Sequence, residues 1–265
     1  MVKDFENSGY WAIILGGSSG LGLASAKKLA AHGMNICIVH RDSRTEMETI
    51  AVQFEEIKAF GVQVATYNFD LLALDKIKVM LLDVKEKMGP AAKVRCLLHS
   101  IAKGNLKPMA AAEESILSTD DFRITIQNMA FSLYEWVRII FDEKLFALDA
   151  RIISFTSEGS KKALENYAAV SAAKAALEAI SRSIALEFAP FGIRSNCIQA
   201  GVTDTKSLQM IPGSASIIEH SLKRNPFGRL TLPEDVANVA YLLCKDEAAW
   251  INGTIIPVDG GEQIH

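Results

Sequence analysis

A chain of 265 residues, 49% apolar and 22% charged, can bury a large sheet within one domain and is too apolar for a disordered or nucleic-acid-coating chain. Its net charge of -3 gives no electrostatic reason to expect nucleic acid or an anionic membrane as a partner. The opening MVKDFENSGYW lacks the basic start and apolar run of a signal peptide, and no stretch approaches the roughly 18 continuous apolar residues of a membrane span, so a cytoplasmic location is expected.

Short apolar runs then alternate with amphipathic stretches along the chain. YWAIILGG is followed by a helix from Leu21 to about His32, NICIVH by one from Arg44 to Phe60, and VQVATYNF by one from Leu74 to Met88. VRCLLHSI leads into one long helix around Asp121 to Leu145. RIISFTS leads into a helix through Ala168 to Glu187, and IRSNCIQAG into one from about Pro233 to Cys244 before the closing GTIIPVDGG. Seven strands joined by crossover helices predict a doubly wound α/β domain over residues 1–265, a seven-stranded parallel sheet with helices on both faces. The segment Val202 to Arg229 breaks the rhythm and is expected to be a lid or binding loop. Cys37, Cys96, Cys197 and Cys244 are far apart and three lie in apolar runs, so neither a metal site nor a disulfide framework is expected.

The first strand ends in LGGSSGLGLASAKKLA, where Gly16, Gly20 and Gly22 let a tight turn open directly into a helix. Without Cβ atoms the backbone can approach a pyrophosphate, and the turn and helix start at Ser18, Ser19 and Leu21 supply N–H groups. The second strand runs into His40, Arg41, Asp42, Ser43 and Arg44. Arg41, with Arg44 as a second candidate, suits the 2'-phosphate of NADPH. Asp42 would instead favour NADH if the turn were shifted by a residue or two. NADPH is the expected cofactor and NADH the lesser alternative. Asp70, followed by Leu71 at the end of the third strand, is a candidate for the adenine side, although aspartate there is also an ordinary helix cap.

A glycine turn, a serine after the fifth strand, a tyrosine and lysine opening the next helix, and a terminal PVDGG occur in this order. Together they resemble the short-chain dehydrogenase/reductase superfamily over nearly the whole chain. The resemblance implies a Rossmann-type sheet, a nicotinamide cofactor, frequently a homotetramer, and a Ser, Tyr, Lys triad often joined by an asparagine. Carried over by position, these are Ser157, Tyr167 and Lys174, with Asn128 as the nearest match to the asparagine. The superfamily's usual tyrosine lies four residues before its lysine, but here Val170 holds that place and the pair is seven apart. On a regular helix seven residues separate Cα atoms by ~10 Å, so Tyr167 must sit at or before the helix start to share a site with Lys174.

This compressed spacing, with only nine residues between Ser157 and Tyr167, resembles the divergent enoyl-acyl-carrier-protein reductases of bacterial fatty-acid synthesis. LLHSIAKG and LENYAAVSAAKAALE support that likeness. Ser157 stands where many members carry a second tyrosine, a pattern closest to the NADPH-preferring type III branch. The resemblance further implies that Ser100, Ile101 and Ala102 line the cofactor. In QAGVTDTKSLQMIPG, which begins just before Gly201, it implies contact with the carboxamide and pyrophosphate, with Thr203 and Thr205 at the matching positions. Tyr167 is then expected to stabilise an enolate oxygen, Lys174 to hold the nicotinamide ribose and lower the tyrosine pKa, and Ser157 to orient substrate. The substrate is expected to be an acyl-carrier-protein or coenzyme A thioester. A 3-oxoacyl or other carbonyl reductase stays open, because serine is also what such an enzyme uses. His99 is read as a packed, hydrogen-bonded residue. Leu208, Met210, Ile211, Ile217 and Ile218 are candidates for an apolar lid. The alanine-rich face of the tyrosine helix is a candidate contact between copies in a tetramer.

Overall fold

The computed structural model describes residues 2–112 and 115–264. Seven parallel strands, β1 (Tyr10–Leu15), β2 (Asn35–His40), β3 (Val64–Asn68), β4 (Lys93–His99), β5 (Phe146–Thr156), β6 (Ile193–Ala200) and β7 (Ile255–Val258), form one sheet in the order β3-β2-β1-β4-β5-β6-β7. The helices are α1 (Gly20–Ala31), α2 (Met47–Lys58), α3 (Leu74–Met88), α4 (Thr119–Ile126), α5 (Ser132–Asp142), α6 (Ala168–Glu187), α7 (Lys206–Gln209), α8 (Ser214–Arg224) and α9 (Pro233–Cys244). This is the Rossmann-type doubly wound sheet that the apolar runs predict.

The strands read as continuous apolar runs because both faces of the sheet are covered. Along β1, Ile13 and Leu15 join a core with Val84 from α3, Trp136 from α5 and Leu177 from α6. Ala12 and Ile14 point the other way, against Leu29 from α1, Phe54 from α2 and Val236 from α9. The strand order reverses between β1 and β4, the point outside whose carboxyl strand ends sheets of this kind bind ligands.

The long helix expected from Asp121 to Leu145 is interrupted. Ser118 and Asp121 form a reciprocal capping box that starts α4 at Thr119. Gln127–Phe131 is a π-helical turn, and α5 ends at Asp142, just before the left-handed Lys144 (φ 55°). The widened turn accommodates a hydrogen bond from Ser132 Oγ to the Asn128 carbonyl at 2.6 Å and one from Asn128 Nδ2 to the Ile124 carbonyl at 2.8 Å. The second helix is likewise shorter than Arg44 to Phe60, since Ser43, Thr45 and Glu46 form a hydrogen-bonded turn ahead of α2.

At the opposite edge, near the starts of β4, β5 and β6, three arginines meet Asp149. Arg95 and Arg151 are each 1% exposed, and they donate to the Cys244, Leu243 and Lys245 carbonyls at the end of α9. Asp149 pairs with both and with Arg194. Cationic groups here satisfy the orphan carbonyls of a helix end.

Candidate active site

The glycine turn is locked on both sides by the sheet, Gly16 N donating to the Val39 carbonyl at 2.8 Å and Ser100 N to the Leu15 carbonyl at 2.9 Å. Gly16 and Gly20 have φ of 83° and 53°. A Cβ on Gly22 would overlap the Gly16 carbonyl oxygen, and one on Gly16 would overlap that of Ser100. Both glycines are therefore required by packing. They bring the Ser18 to Gly22 backbone at the start of α1 beside the Ser100 to Ala102 segment that follows β4. Thr205 lies over Gly20, its methyl 3.5 Å from where a Cβ would stand, and its hydroxyl accepts from Leu208 N to cap α7. Thr203 is buried, and its hydroxyl donates to the Gly201 carbonyl at 3.0 Å.

At the end of β2, the Asp42 carboxylate is turned toward His40, accepting from its Nδ1 at 2.7 Å, and the Asp42 backbone N–H and carbonyl exchange hydrogen bonds with the Asn68 side chain. Arg41 stays 58% exposed on its side chain and meets Asp70 at 2.6 Å. Arg44 is also exposed. Asp70 does not cap α3; its other oxygen accepts from Leu72 N at 3.0 Å, so it closes a local turn. Two cationic side chains thus stand at this rim, Arg41 paired with Asp70 and Arg44 exposed, while the Asp42 carboxylate is engaged by His40.

Tyr167 is the residue immediately before α6, with non-helical φ -115° and ψ 2°. Gly159, in the 3-10 turn Glu158–Ser160, makes room for its ring: a Cβ there would sit 2.7 Å from Tyr167 Cε1. Burial raises the Tyr167 pKa, and the Ser157 hydroxyl opposes that rise. The sequence reading gives the lowering to Lys174; in the structure the neighbouring serine supplies it. Ser157 Oγ is itself buried without a fully formed hydrogen bond.

Lys174 is 6% exposed, and its ammonium donates to the Phe155 carbonyl at 2.7 Å and the Ile101 carbonyl at 3.4 Å. Burial pushes its pKa down to about 8, against the pull of Cys197 and Glu178. His99 is fully buried with Nε2 at 2.8 Å from Ser132 Oγ. Because the Ser132 proton goes to the Asn128 carbonyl, Nε2 carries the imidazole hydrogen. Burial, reinforced by Lys174, pushes the His99 pKa down to about 3, so it is neutral and structural.

The family model described as Enoyl-(Acyl carrier protein) reductase matches residues 16–263. The chain belongs to the enoyl-acyl-carrier-protein reductase family. It is an oxidoreductase of the short-chain dehydrogenase/reductase type, a nicotinamide-dinucleotide-dependent class. It is 29% identical over 259 residues to a probable 2,4-dienoyl-CoA reductase of Bacillus subtilis, covering 96% of each chain. It is 33% identical over 173 residues to the NADH-dependent enoyl-acyl-carrier-protein reductase of Aquifex aeolicus, covering 63% of this chain and 62% of that one. The crystal structure of the Aquifex aeolicus enzyme superposes with a TM-score of 0.83 at 26% identity, over 98% of both chains.

In this reductase the strands bring Ser157, Tyr167, Lys174 and the Ser100 to Ala102 segment to one end of the sheet. Asn128 lies buried in the π turn, its Oδ1 without a partner. The segment Val202 to Arg229 contains α7 and α8. Leu208 is buried, Met210 is 70% exposed, and Ile211, Ile217 and Ile218 are half-buried. On α6, Ala169 and Ala173 are buried within the subunit, while Ala172 and Ala176 are half-buried.

Sequence reading missed two ties. Arg224 at the end of α8 forms a two-pronged pair with Glu158, at 2.9 and 3.2 Å, binding α8 to the turn between Ser157 and Tyr167. Glu178 on α6 accepts from Thr156 Oγ1 at 2.7 Å. Their one signal in the sequence is an acidic residue within an otherwise alanine-rich helix and another beside the active serine.

Proposed function

We propose that the protein reduces the carbon-carbon double bond of 2-enoyl thioesters with NADPH, on acyl-carrier-protein or coenzyme A substrates, in a cytoplasmic fatty-acid pathway. The observation that carries this reading is the position of Tyr167, held ahead of α6 beside Ser157 rather than one turn before Lys174 within the helix. When bound, NADPH would supply hydride to the β-carbon of the substrate. Negative charge then develops on the thioester oxygen, away from the carbon that receives hydride. A phenol displaced from the lysine suits that separation, and Tyr167 donates a hydrogen bond to the oxygen as it becomes an enolate. Ser157, with an uncommitted hydroxyl, orients the phenol. An ammonium has three donors; Lys174 spends two on backbone carbonyls, which leaves one for the nicotinamide ribose.

The glycine turn fits a pyrophosphate, since it opens directly into α1 at Gly20 and Ser19 makes no side-chain cap there, which leaves the helix's first N–H groups to receive an anion. Arg41 and Arg44 at the rim support NADPH over NADH, as does the engagement of Asp42 by His40. The likeness to the dienoyl-CoA reductase keeps a coenzyme A thioester among the substrates to be tried. The open groove of about 660 Å³ between α5 and α6, lined by Phe131, Tyr134, Ile180 and Phe188, supports association of copies there, as in a homotetramer. Sedimentation would measure that assembly.

The deciding experiment follows NADPH oxidation with crotonyl and acetoacetyl thioesters side by side. Consumption with the enoyl substrate alone is the expected result. Consumption with the keto substrate alone would make the protein a carbonyl reductase.

A further inference from the structure

Lys174 is a buried cation whose hydrogen-bond partners are neutral carbonyls, an expensive arrangement unless a counter-charge lies near. Glu178 is one helical turn further along α6, on the same face, and only 5% exposed. Its Oε1 accepts from Thr156 Oγ1 at 2.7 Å, and Thr156 is the last residue of β5, between Phe155, which receives the lysine, and Ser157. The hydrogen bond that Glu178 accepts comes from a neutral hydroxyl, so its charge is not spent on that partner.

We propose that Glu178 is the positioning residue of Lys174: its buried carboxylate, anchored by Thr156, is the counter-charge that keeps the ammonium protonated and directed at the cofactor ribose. The inference rests on the reading of Lys174 as the ribose-binding group. Other titratable groups facing the lysine do not supply that charge. His99, from β4, is neutral, with a pKa pushed down to about 3. Cys197, from β6, has its thiol pushed up to about 11 by burial and is uncharged where Lys174 titrates. Tyr167, at the start of α6, has a raised pKa and stays a neutral phenol. Arg182, one turn beyond Glu178, is exposed and of the same sign as the lysine. Burial holds the Lys174 pKa near about 8, so removing one nearby anion moves the titration into the neutral range.

The test titrates Lys174 in the cofactor-free protein by NMR of labelled lysine side chains, assigned with Lys174→Arg. Glu178→Gln keeps the shape and an acceptor for Thr156 but removes the charge. It is expected to lower the proton affinity of Lys174 at least about threefold. In parallel, NADPH affinity read by fluorescence should fall at least about twofold at pH near 8, approach a threefold loss above about pH 9, and match wild type near pH 6.5, where the lysine is protonated in both. A merely structural role would weaken binding equally at both pH values, and that result, or an unmoved titration, overturns the proposal. If Glu178→Gln does not fold, Thr156→Val, which frees the carboxylate from its anchor, must lower the midpoint in the same direction, and an unchanged midpoint again overturns it. Should the wild type fail to bind NADPH, the ribose-binding reading fails, while the titration still decides whether Glu178 sets the charge of Lys174.

Discussion

The two ends of the sheet treat polar groups in opposite ways. Near the starts of β4, β5 and β6, Arg95, Arg151 and Arg194 share Asp149, and the first two also saturate three carbonyls of α9. At the other end, His99 Nδ1, Asn128 Oδ1, Ser157 Oγ and Ser160 Oγ are buried without partners, and Lys174 has only neutral acceptors. A buried polar group left unpaired costs roughly 1–3 kcal/mol, so the second end forgoes stability that the first secures. These four atoms lie around the candidate site, where a cofactor and substrate would supply the missing hydrogen bonds, whereas His32 Nε2, stacked on Tyr241 of α9, is buried without a partner away from it.

Substitutions at the two ends should therefore separate activity from stability. Tyr167→Phe, at the open end, is expected to lower turnover on a 2-enoyl thioester about 100- to 1000-fold while leaving NADPH affinity nearly unchanged. Lys174→Ala should damage both, and steady-state kinetics with a fluorescence binding measurement distinguish the two. Asp149→Asn, at the paired end, is expected to cost about 2 kcal/mol, a value reduced from that of a fully buried pair because Asp149 is partly exposed. Denaturant unfolding should register that loss with NADPH affinity unaltered. Burial pushes the Asp149 pKa up, but Arg151, Arg95 and Arg194 outweigh it and hold the carboxyl below its ordinary value. The unfolded state thus binds the proton more tightly. The stability from Asp149 is complete above about pH 4 and is lost as pH falls through the lower folded value, so the mutant's deficit should shrink in acid.

The paired end and the open end also differ in how far the sequence reveals them. The order of strands and helices is legible because short continuous apolar runs alternate with amphipathic stretches of helical period, and because the glycine turn marks where β1 meets α1. Ser157, Tyr167 and Lys174 are legible through their spacing, which itself requires the tyrosine to precede α6. The π turn at Gln127–Phe131 is invisible to such reading, since QNMAF carries apolar residues that suit a continuous helix equally well. Arg224 and Glu158 are 66 residues apart, and Thr156 and Glu178 22 apart. Such pairings arise from how α8 and α6 pack on the end of β5. Periodicity within one element holds no information about them.

Alkaline pH should expose the open end without any substitution. With its pKa pushed down to about 8 by burial, Lys174 loses its proton well before an exposed lysine would, and NADPH affinity should decline as pH rises through that value. A flat profile to about pH 10 would mean that the lysine does not hold the cofactor.

A smaller effect is expected at the rim. Arg41 is exposed and paired with Asp70, so its removal leaves the fold intact and alters only what the end of β2 presents to an adenosine ribose. Arg41→Ala should weaken NADPH about tenfold and leave NADH within about twofold, which separates a 2'-phosphate contact from general loss of the site. Arg44→Ala should show the same selectivity at smaller size, since Arg44 lies three residues further from the strand. Equal weakening of both cofactors by Arg41→Ala would place the arginine against the adenine or the pyrophosphate and remove the support it gives to NADPH. The Asp70 pairing predicts one further detail: Asp70→Asn, by releasing Arg41, should tighten NADPH relative to NADH.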